Sequence, residues 1–265
     1  MPYEFIDLGI DNRIATVALN RVEKYNALNP VLARNLTACV RDLSLNDEVR
    51  VIVLKSNAKI FCAGIDLEAV AERDKSNPVK SAFVKDAYYS LACCNVLEEC
   101  KKPVIGPIHG KCVGAGLDMA CACDIRVCTE DAQFALREAG MGLVADMGIL
   151  QRLPLIIGQG YAREMAFTAR FYGAREVEKM GLVNAVYPDF ASMMVGARKL
   201  AAVIAENAPI AVEETKDALN FSRQASIADG MAYAKQKNAI LFPSEDMREA
   251  AAAFREKRKP QFKGR

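Results

Sequence analysis

The segment PVIGPIHGKCVGAGLDMACACDIRV, Pro103 to Val127, decides the architecture. Pro103 to Ile108 is an apolar run of the kind a strand buried on both faces requires. Glycine-bearing residues follow, then the apolar stretch Leu117 to Ala122, and Ile125 to Cys128 closes the pattern with another short β-rich run. Upstream, Val49 to Leu54 (VRVIVL) reads as a further buried strand, with a helical stretch from about Ala82 to Cys100 between the two. Strand and helix alternate, so the class is α/β.

Outward from this centre, Tyr3 to Ile10 and Arg13 to Leu19 are rich in β-formers and are parted by Asp11 and Asn12, a hairpin signal. Asn29 before Pro30 is a helix N-cap with proline at the first helical position, and Val31, Leu32, Leu36, Val40 and Leu43 continue at helical spacing to about Ser44. From Leu150 the apolar residues fall mainly at helical spacing, with breaks at Pro188 and Pro209. Ala197 to Ala205, Ile210 to Phe221, Ile227 to Leu241 and Glu245 to Lys257 are expected helices. The last is too poor in large apolar residues to make a core alone, so it is expected to pack on the α/β body or on another subunit. Residues 1–190 read as an α/β core and 191–265 as a C-terminal helical region.

A length of 265 residues over a typical 150 per domain gives about 1.8, which favours one large domain with an appendage. Apolar residues make up 52% and charged residues 26%, a balance that fills a core and argues against disorder. Thirty-five Lys and Arg against 33 Asp and Glu leave a net charge of +2, which provides no basic field for nucleic acid. The single histidine, His109, stands between a buried strand and a glycine and reads as structural, and its isolation removes most imidazole-based metal sites. The nine cysteines include no C-x-x-C and read as reduced core thiols, with Cys62 and Cys112 lining the pocket inferred below. No leader or membrane-span pattern is evident, so the default address is cytoplasmic, with mitochondrial and peroxisomal addresses left open.

Two glycine-bearing segments lie at the carboxyl ends of strands, where open α/β sheets place ligands: FCAGIDL, Phe61 to Leu67, and IHGKCVGAGLDMACACDI, Ile108 to Ile125. Neither is a phosphate loop, because G-x-x-x-x-G-K-[ST] is absent and Gly114, Ala115, Gly116 lacks the third glycine of G-x-G-x-x-G. Glycines beside a helix start let backbone approach closely, and first-turn amides have no partner in their own helix. One amide from each segment could stabilise negative charge on a carbonyl oxygen, while tight packing turns are the plainer reading. Asp118 and Asp146 stand in almost wholly apolar sequence, which calls for a hydrogen-bond partner or a raised pKa. Glu138 is a third candidate, although beside Arg137 it could be a solvated pair.

The segments FCAGIDL, GPIHGKCVGAGLDMACACDIRV and FREKRKPQFKGR, with LNRVEKYNALNP (Leu19 to Pro30) and GLVNAVYP (Gly181 to Pro188), resemble the crotonase, or enoyl-CoA hydratase/isomerase, superfamily. The resemblance spans nearly the whole chain. It implies a spiral of ββα turns, a C-terminal helical trimerisation region, assembly as a homotrimer or homohexamer, and an acyl-CoA thioester as substrate. Coenzyme A would then belong to the substrate, with no separate cofactor and no metal. By motif position it implies an oxyanion hole from the amides of Ile65 and Ala115, with Ala63, Gly64, Asp66, Leu67 and Gly116 lining the pocket. The family usually has glycine where Ala115 stands, which matters if a positive φ is needed there. Lys24 and the basic tail Lys257, Arg258, Lys259 would be candidate partners for the coenzyme A phosphates.

One fold hosts several reactions, so the acids must decide among them. Hydratases place two carboxylates at positions matching Asp118 and Glu138, the first normally Glu, and have glycine where Asp146 stands. The trio Asp118, Glu138, Asp146, together with MAFTAR (Met165 to Arg170), resembles the Δ3,5-Δ2,4-dienoyl-CoA isomerase subgroup. The expectation is that Glu138 faces the α carbon, Asp146 serves the distant sixth carbon and Asp118 tunes the pair. Enoyl-CoA hydration, Δ3,Δ2-enoyl-CoA isomerisation and non-catalytic acyl-CoA binding are the alternatives.

Overall fold

Asn12 and Arg13 both adopt positive φ, at 49° and 66°, and turn the chain between β1 (Ile6–Asp11) and β2 (Ile14–Leu19). The tight turn thus sits one residue later than expected, and it matches the twist of the antiparallel pair. The structure is a computed structural model that describes residues 3–69 and 92–265. Helix α1 (Pro30–Ser44) has the expected bounds, and the Asn29 side chain accepts the Leu32 amide at 2.8 Å. Strand β3 (Val51–Ser56) pairs parallel with β2, and β4 (Val104–Ile108) pairs parallel with β3. The expected helix before β4 is present over 92–99; the rest of that expectation, 82–91, lies outside the described residues.

The next two units explain the spiral. After β4 come β5 (Lys111–Val113) and α2 (Ala115–Ala122), and after β6 (Ile125–Thr129) comes β7 (Gln133–Ala135). The first strand of each turn joins a large sheet and the second a small one, with β5 and β7 paired parallel. Helix α3 (Ile149–Thr168), broken at Gly158, then leads to β8 (Tyr172–Gly173), α4 (Ala174–Met180) and β9 (Ala185–Tyr187). The large sheet runs β1-β2-β3-β4-β6-β9 and the small one β5-β7-β8. The short strands β5, β7, β8 and β9 are absent from the sequence reading, because two or three residues are too few to establish a period.

Alternation along β3 shows why its sequence is continuously apolar. Ile52 and Leu54 join the main core with α1 and α2, while Val51 and Val53 face α5 (Phe190–Ala205) through Met193, Ala197 and Ala201. Helix α5 therefore closes the second face of the large sheet and starts earlier than Ala197. The boundary expected at 190/191 is consequently not a boundary of packing. Helices α6 (Pro209–Ser222), α7 (Ile227–Leu241) and α8 (Glu245–Glu256) complete the chain. Buried Lys216 ties α6 to the body through Asp124, at 2.7 Å, and through the Leu97 and Lys102 carbonyls.

Candidate active site

Residues 62–66 run extended between two partners. Cys62 gives its amide to Lys111 and accepts from the Val113 amide, whereas Leu28 takes the Gly64 carbonyl at 2.7 Å and gives its own to the Asp66 amide at 2.9 Å. In such a bridge the Ile65 amide points away from Leu28, and it has no acceptor among the described residues. The Ala115 amide, at the first position of α2, likewise has none. A Cβ on Gly114 would lie 3.9 Å from the Gly64 Cα, and one on Gly116 would strike the Cys62 Cβ at 2.7 Å. Glycine is what lets the two segments approach, and each segment carries an amide without an acceptor among the described residues. The positive φ, 49°, falls on Gly114; Ala115 is already helical, so the departure from glycine there carries no strain.

Extended residues alternate in direction, which sorts the lining expected from sequence. Ala63, Ile65 and Leu67 are exposed on the open side, and Cys62, Gly64 and Asp66 face inward. Asp66 is thus not pocket lining: its carboxylate pairs with Arg21 at 2.6 Å and accepts the Glu68 and Ala69 amides. Burial lifts that carboxyl, but the amides and Arg21 outweigh burial and hold it below the ordinary carboxylate range. Gly116 is also not open lining, since the space beside it is filled by Cys62. Cys62 and Cys112 are fully buried and bridge one another's segments. Burial pushes the Cys62 thiol up to about 12, which leaves it inert at neutral pH.

The three acids occupy unequal surroundings. Asp118, on the first turn of α2, is 1% exposed and accepts the Ile149 amide at 2.8 Å, capping α3 from another element. Burial, and then the charge of Glu138, push its carboxyl up to about 7 against the opposing pull of the Ile149 amide and Arg152. Glu138 is half-buried beside Gly114, where a Cβ would come within 2.8 Å of Oε1, and its Oε2 is buried without a hydrogen-bond partner among the described residues. Burial raises its carboxyl above the ordinary value; nearby amides oppose that rise, and the Asp146 charge adds to it. Arg137 is not its partner, because its guanidinium donates to the Ala169 carbonyl at 2.6 Å and lies over the Phe171 ring. Asp146, expected in apolar surroundings, stands instead on an exposed loop with Leu143 and Val144.

The remaining candidates are distributed over the surface. Lys24 pairs with Glu68 at 2.5 Å, Arg258 binds Glu249 and Glu256, and Lys259 reaches Glu206 at 3.5 Å. His109 is structural in position, with Nε2 against the Ala58 carbonyl at 2.8 Å and its ring edge-on to Phe190. Of the four buried arginines among the described residues, none anticipated from the sequence, two bear on this site. Arg21 holds the Ala27 carbonyl and Asp66, and Arg152 holds Glu98, Asn95 and the Met147 carbonyl. A signal for the second was present: a cation in the first turn of a helix opposes the macrodipole and so needs a specific partner.

Two amides without an acceptor among the described residues thus lie on closely packed segments, with a buried carboxylate oxygen beside one of them. A profile of the enoyl-CoA hydratase/isomerase family matches residues 9–265, and the chain belongs to that family. It is 35% identical over 256 residues to the mitochondrial Delta(3,5)-Delta(2,4)-dienoyl-CoA isomerase of Dictyostelium discoideum, covering 94% of this chain and 87% of the relative. It is 36% identical to the peroxisomal Delta(3,5)-Delta(2,4)-dienoyl-CoA isomerase of Arabidopsis thaliana, covering 98% and 96%. The crystal structure of a putative enoyl-CoA hydratase from Streptomyces coelicolor A3(2) superposes with a TM-score of 0.94 at 30% identity, covering 100% of this chain and 96% of that one. The fold is therefore the crotonase spiral. Among the described residues no helix is long and apolar enough to cross a membrane.

Proposed function

We propose that the chain is a Δ3,5-Δ2,4-dienoyl-CoA isomerase. The observation that carries this reading is the Glu138 carboxyl, with one buried oxygen and the adjacent Ala115 amide both lacking a partner among the described residues, pressed against Gly114. Glu138 removes a proton from the α carbon of a 3,5-dienoyl thioester, and the electron pair moves toward the carbonyl to give an extended enolate. The Ile65 and Ala115 amides hold its oxygen; one such donor is typically worth about 10²–10³ in kcat. Asp146 gives a proton to the sixth carbon, the double bonds settle at positions 2 and 4, and Glu138 returns its proton to Asp146 through solvent. No atom is gained or lost. Coenzyme A enters as part of the substrate, and the transfer needs neither a metal nor another cofactor.

The test is an ultraviolet assay with 3,5-octadienoyl-CoA, alongside hydration of a 2-enoyl-CoA. Formation of the conjugated 2,4-dienoyl thioester with slow hydration is expected. Fast hydration without a diene shift would instead make Asp118 and Glu138 a hydratase pair. Asp146→Asn is expected to abolish most of the diene shift, and near-wild-type activity in the folded variant would remove Asp146 from the mechanism. Lys24 and the Lys257 to Lys259 tail are assigned to the coenzyme A phosphates. The C-terminal helices are read as the surface of a homotrimer or a pair of trimers, supported by exposed Ile227, Met231, Ile240, Phe242 and Phe254. Analytical ultracentrifugation tests this, with a monomer as the contrary result.

A further inference from the structure

We propose that Arg152 is a positioning residue for the acid half of the site, fixing the backbone from Asp146 to Ile149 through the Met147 carbonyl and the space behind Gly148. The inference rests on the reading in which Asp146 acts on substrate. The Arg152 side chain is 9% exposed, and each of its nitrogens is used. Nε and Nη2 hold Glu98 Oε2 at 2.9 and 2.6 Å, Nη2 also holds Asn95 Oδ1 at 2.8 Å, and Nη1 holds the Met147 carbonyl at 3.2 Å. Gly148, at φ 100°, has no room for a side chain because a Cβ there would collide with Nη1. The loop is thus pinned on both sides of Gly148: Met147 by its carbonyl to Arg152, and Ile149 by its amide to Asp118.

Glu98 extends this hold. It pairs with Arg223, the residue that follows α6, and its carbonyl accepts from Asn220 Nδ2 on α6 at 3.0 Å, so the loop carrying Asp146 is tied through Arg152 and Glu98 to the C-terminal helices. Lysine could not replace the fork, since a single ammonium does not reach two carboxylate contacts, an amide and a carbonyl in one plane. Among the described residues, the charged and titratable groups facing Asp118 are Glu138, Asp146 and Arg152, with the thiols of Cys94, Cys112 and Cys121 around them. Arg152 is the cation in this set. Its removal therefore has two separable consequences, one for loop geometry and one for the Asp118 carboxyl.

The experiment compares Arg152→Met, Arg152→Lys and Glu98→Gln with the wild type. Turnover of 3,5-octadienoyl-CoA gives kcat and KM, and carbon-13 NMR of aspartate-labelled protein, assigned with Asp118→Asn, follows the Asp118 carboxyl through pH. For Arg152→Met, kcat is expected to fall about 10–100-fold with little change in KM, the penalty of a misplaced reacting group. The Asp118 titration should also move upward, because the cation that lowers it is gone. Arg152→Lys should keep that titration near its wild-type position and still lose kcat, and Glu98→Gln should lose less. A folded Arg152→Met with wild-type kcat and titration overturns the proposal, as does Arg152→Lys with wild-type kcat. If Arg152→Met does not fold, wild-type kcat in both other variants overturns it. Should the wild type fail to shift the diene, the isomerase reading fails by itself. The carboxyl titration and the hydration kinetics then still judge Arg152, and no change in either overturns the assignment.

Discussion

The amide half of the site is made of two short segments, 62–65 and 114–116, locked by main-chain bonds and glycine contacts, whereas the acid half gathers side chains from α2, the 138–148 loop and α3. Amides aimed by backbone geometry neither titrate nor change rotamer, so under the proposed function that half would stabilise charge on any thioester alike. The acid half is adjustable. Asp118 is buried and lifted to about 7, Glu138 is half-buried, and Asp146 is exposed, three environments within one constellation. Under the proposed function, what the family shares would belong in the backbone frame, and the particular reaction in the placement of carboxylates.

The largest effect that would sharpen this contrast is on the acid side. Glu138→Gln keeps the shape and removes the base, and kcat should fall about 10²–10⁴-fold while thioester binding persists. Steady-state turnover with 3,5-octadienoyl-CoA, and titration with a saturated acyl-CoA, would measure the two separately. Retained turnover would break the division of labour, since the frame alone would then suffice. On the amide side, Gly116→Ala drives a methyl group into Cys62 and pushes α2 off the 62–65 segment. Its expected signature differs: a stability loss of about 1–3 kcal/mol from overpacking, together with a fall in kcat of about 10²-fold as the Ala115 amide moves. Thermal unfolding and turnover on one preparation would show both, and an unchanged melting temperature would mean that the frame is not close-packed.

The same contrast explains what was legible in the sequence. The frame could be read because its determinants are local: a buried strand, glycines, and a helix start within a dozen residues. Helix α1 was legible for the same reason, with Asn29 and Pro30 marking its start. The acids could be named but not placed, because their surroundings are tertiary. Asp66 looked like lining and proved to be the partner of Arg21, a contact across 45 positions of chain (66 less 21) that no local pattern reports. Asp146 looked buried and is exposed, because an apolar local sequence does not say which way a loop turns. Helix α5 falls beyond the boundary that the change to helical spacing suggests at residue 190, yet its small residues are what let it lie close on Val51 and Val53.

The smallest expected effect on turnover comes from Asp118→Asn, and it separates tuning from catalysis. Asparagine keeps an acceptor for the Ile149 amide, so α3 stays capped and kcat should stay within about tenfold, below the usual contribution of a general base. Stability against pH should change shape. The folded Asp118 carboxyl titrates near 7 and the unfolded one near 3.8, so the native state holds the proton more tightly. Its stabilising contribution is fully present below the unfolded value and is lost as pH rises through about 7. The wild type should therefore lose stability across that window relative to Asp118→Asn, which carries no such slope. Urea denaturation of both proteins at several pH values reads the difference directly. Parallel curves would mean that the carboxyl is ionised throughout, and the acid half would then lack the buried, proton-holding member that distinguishes it from the amide half.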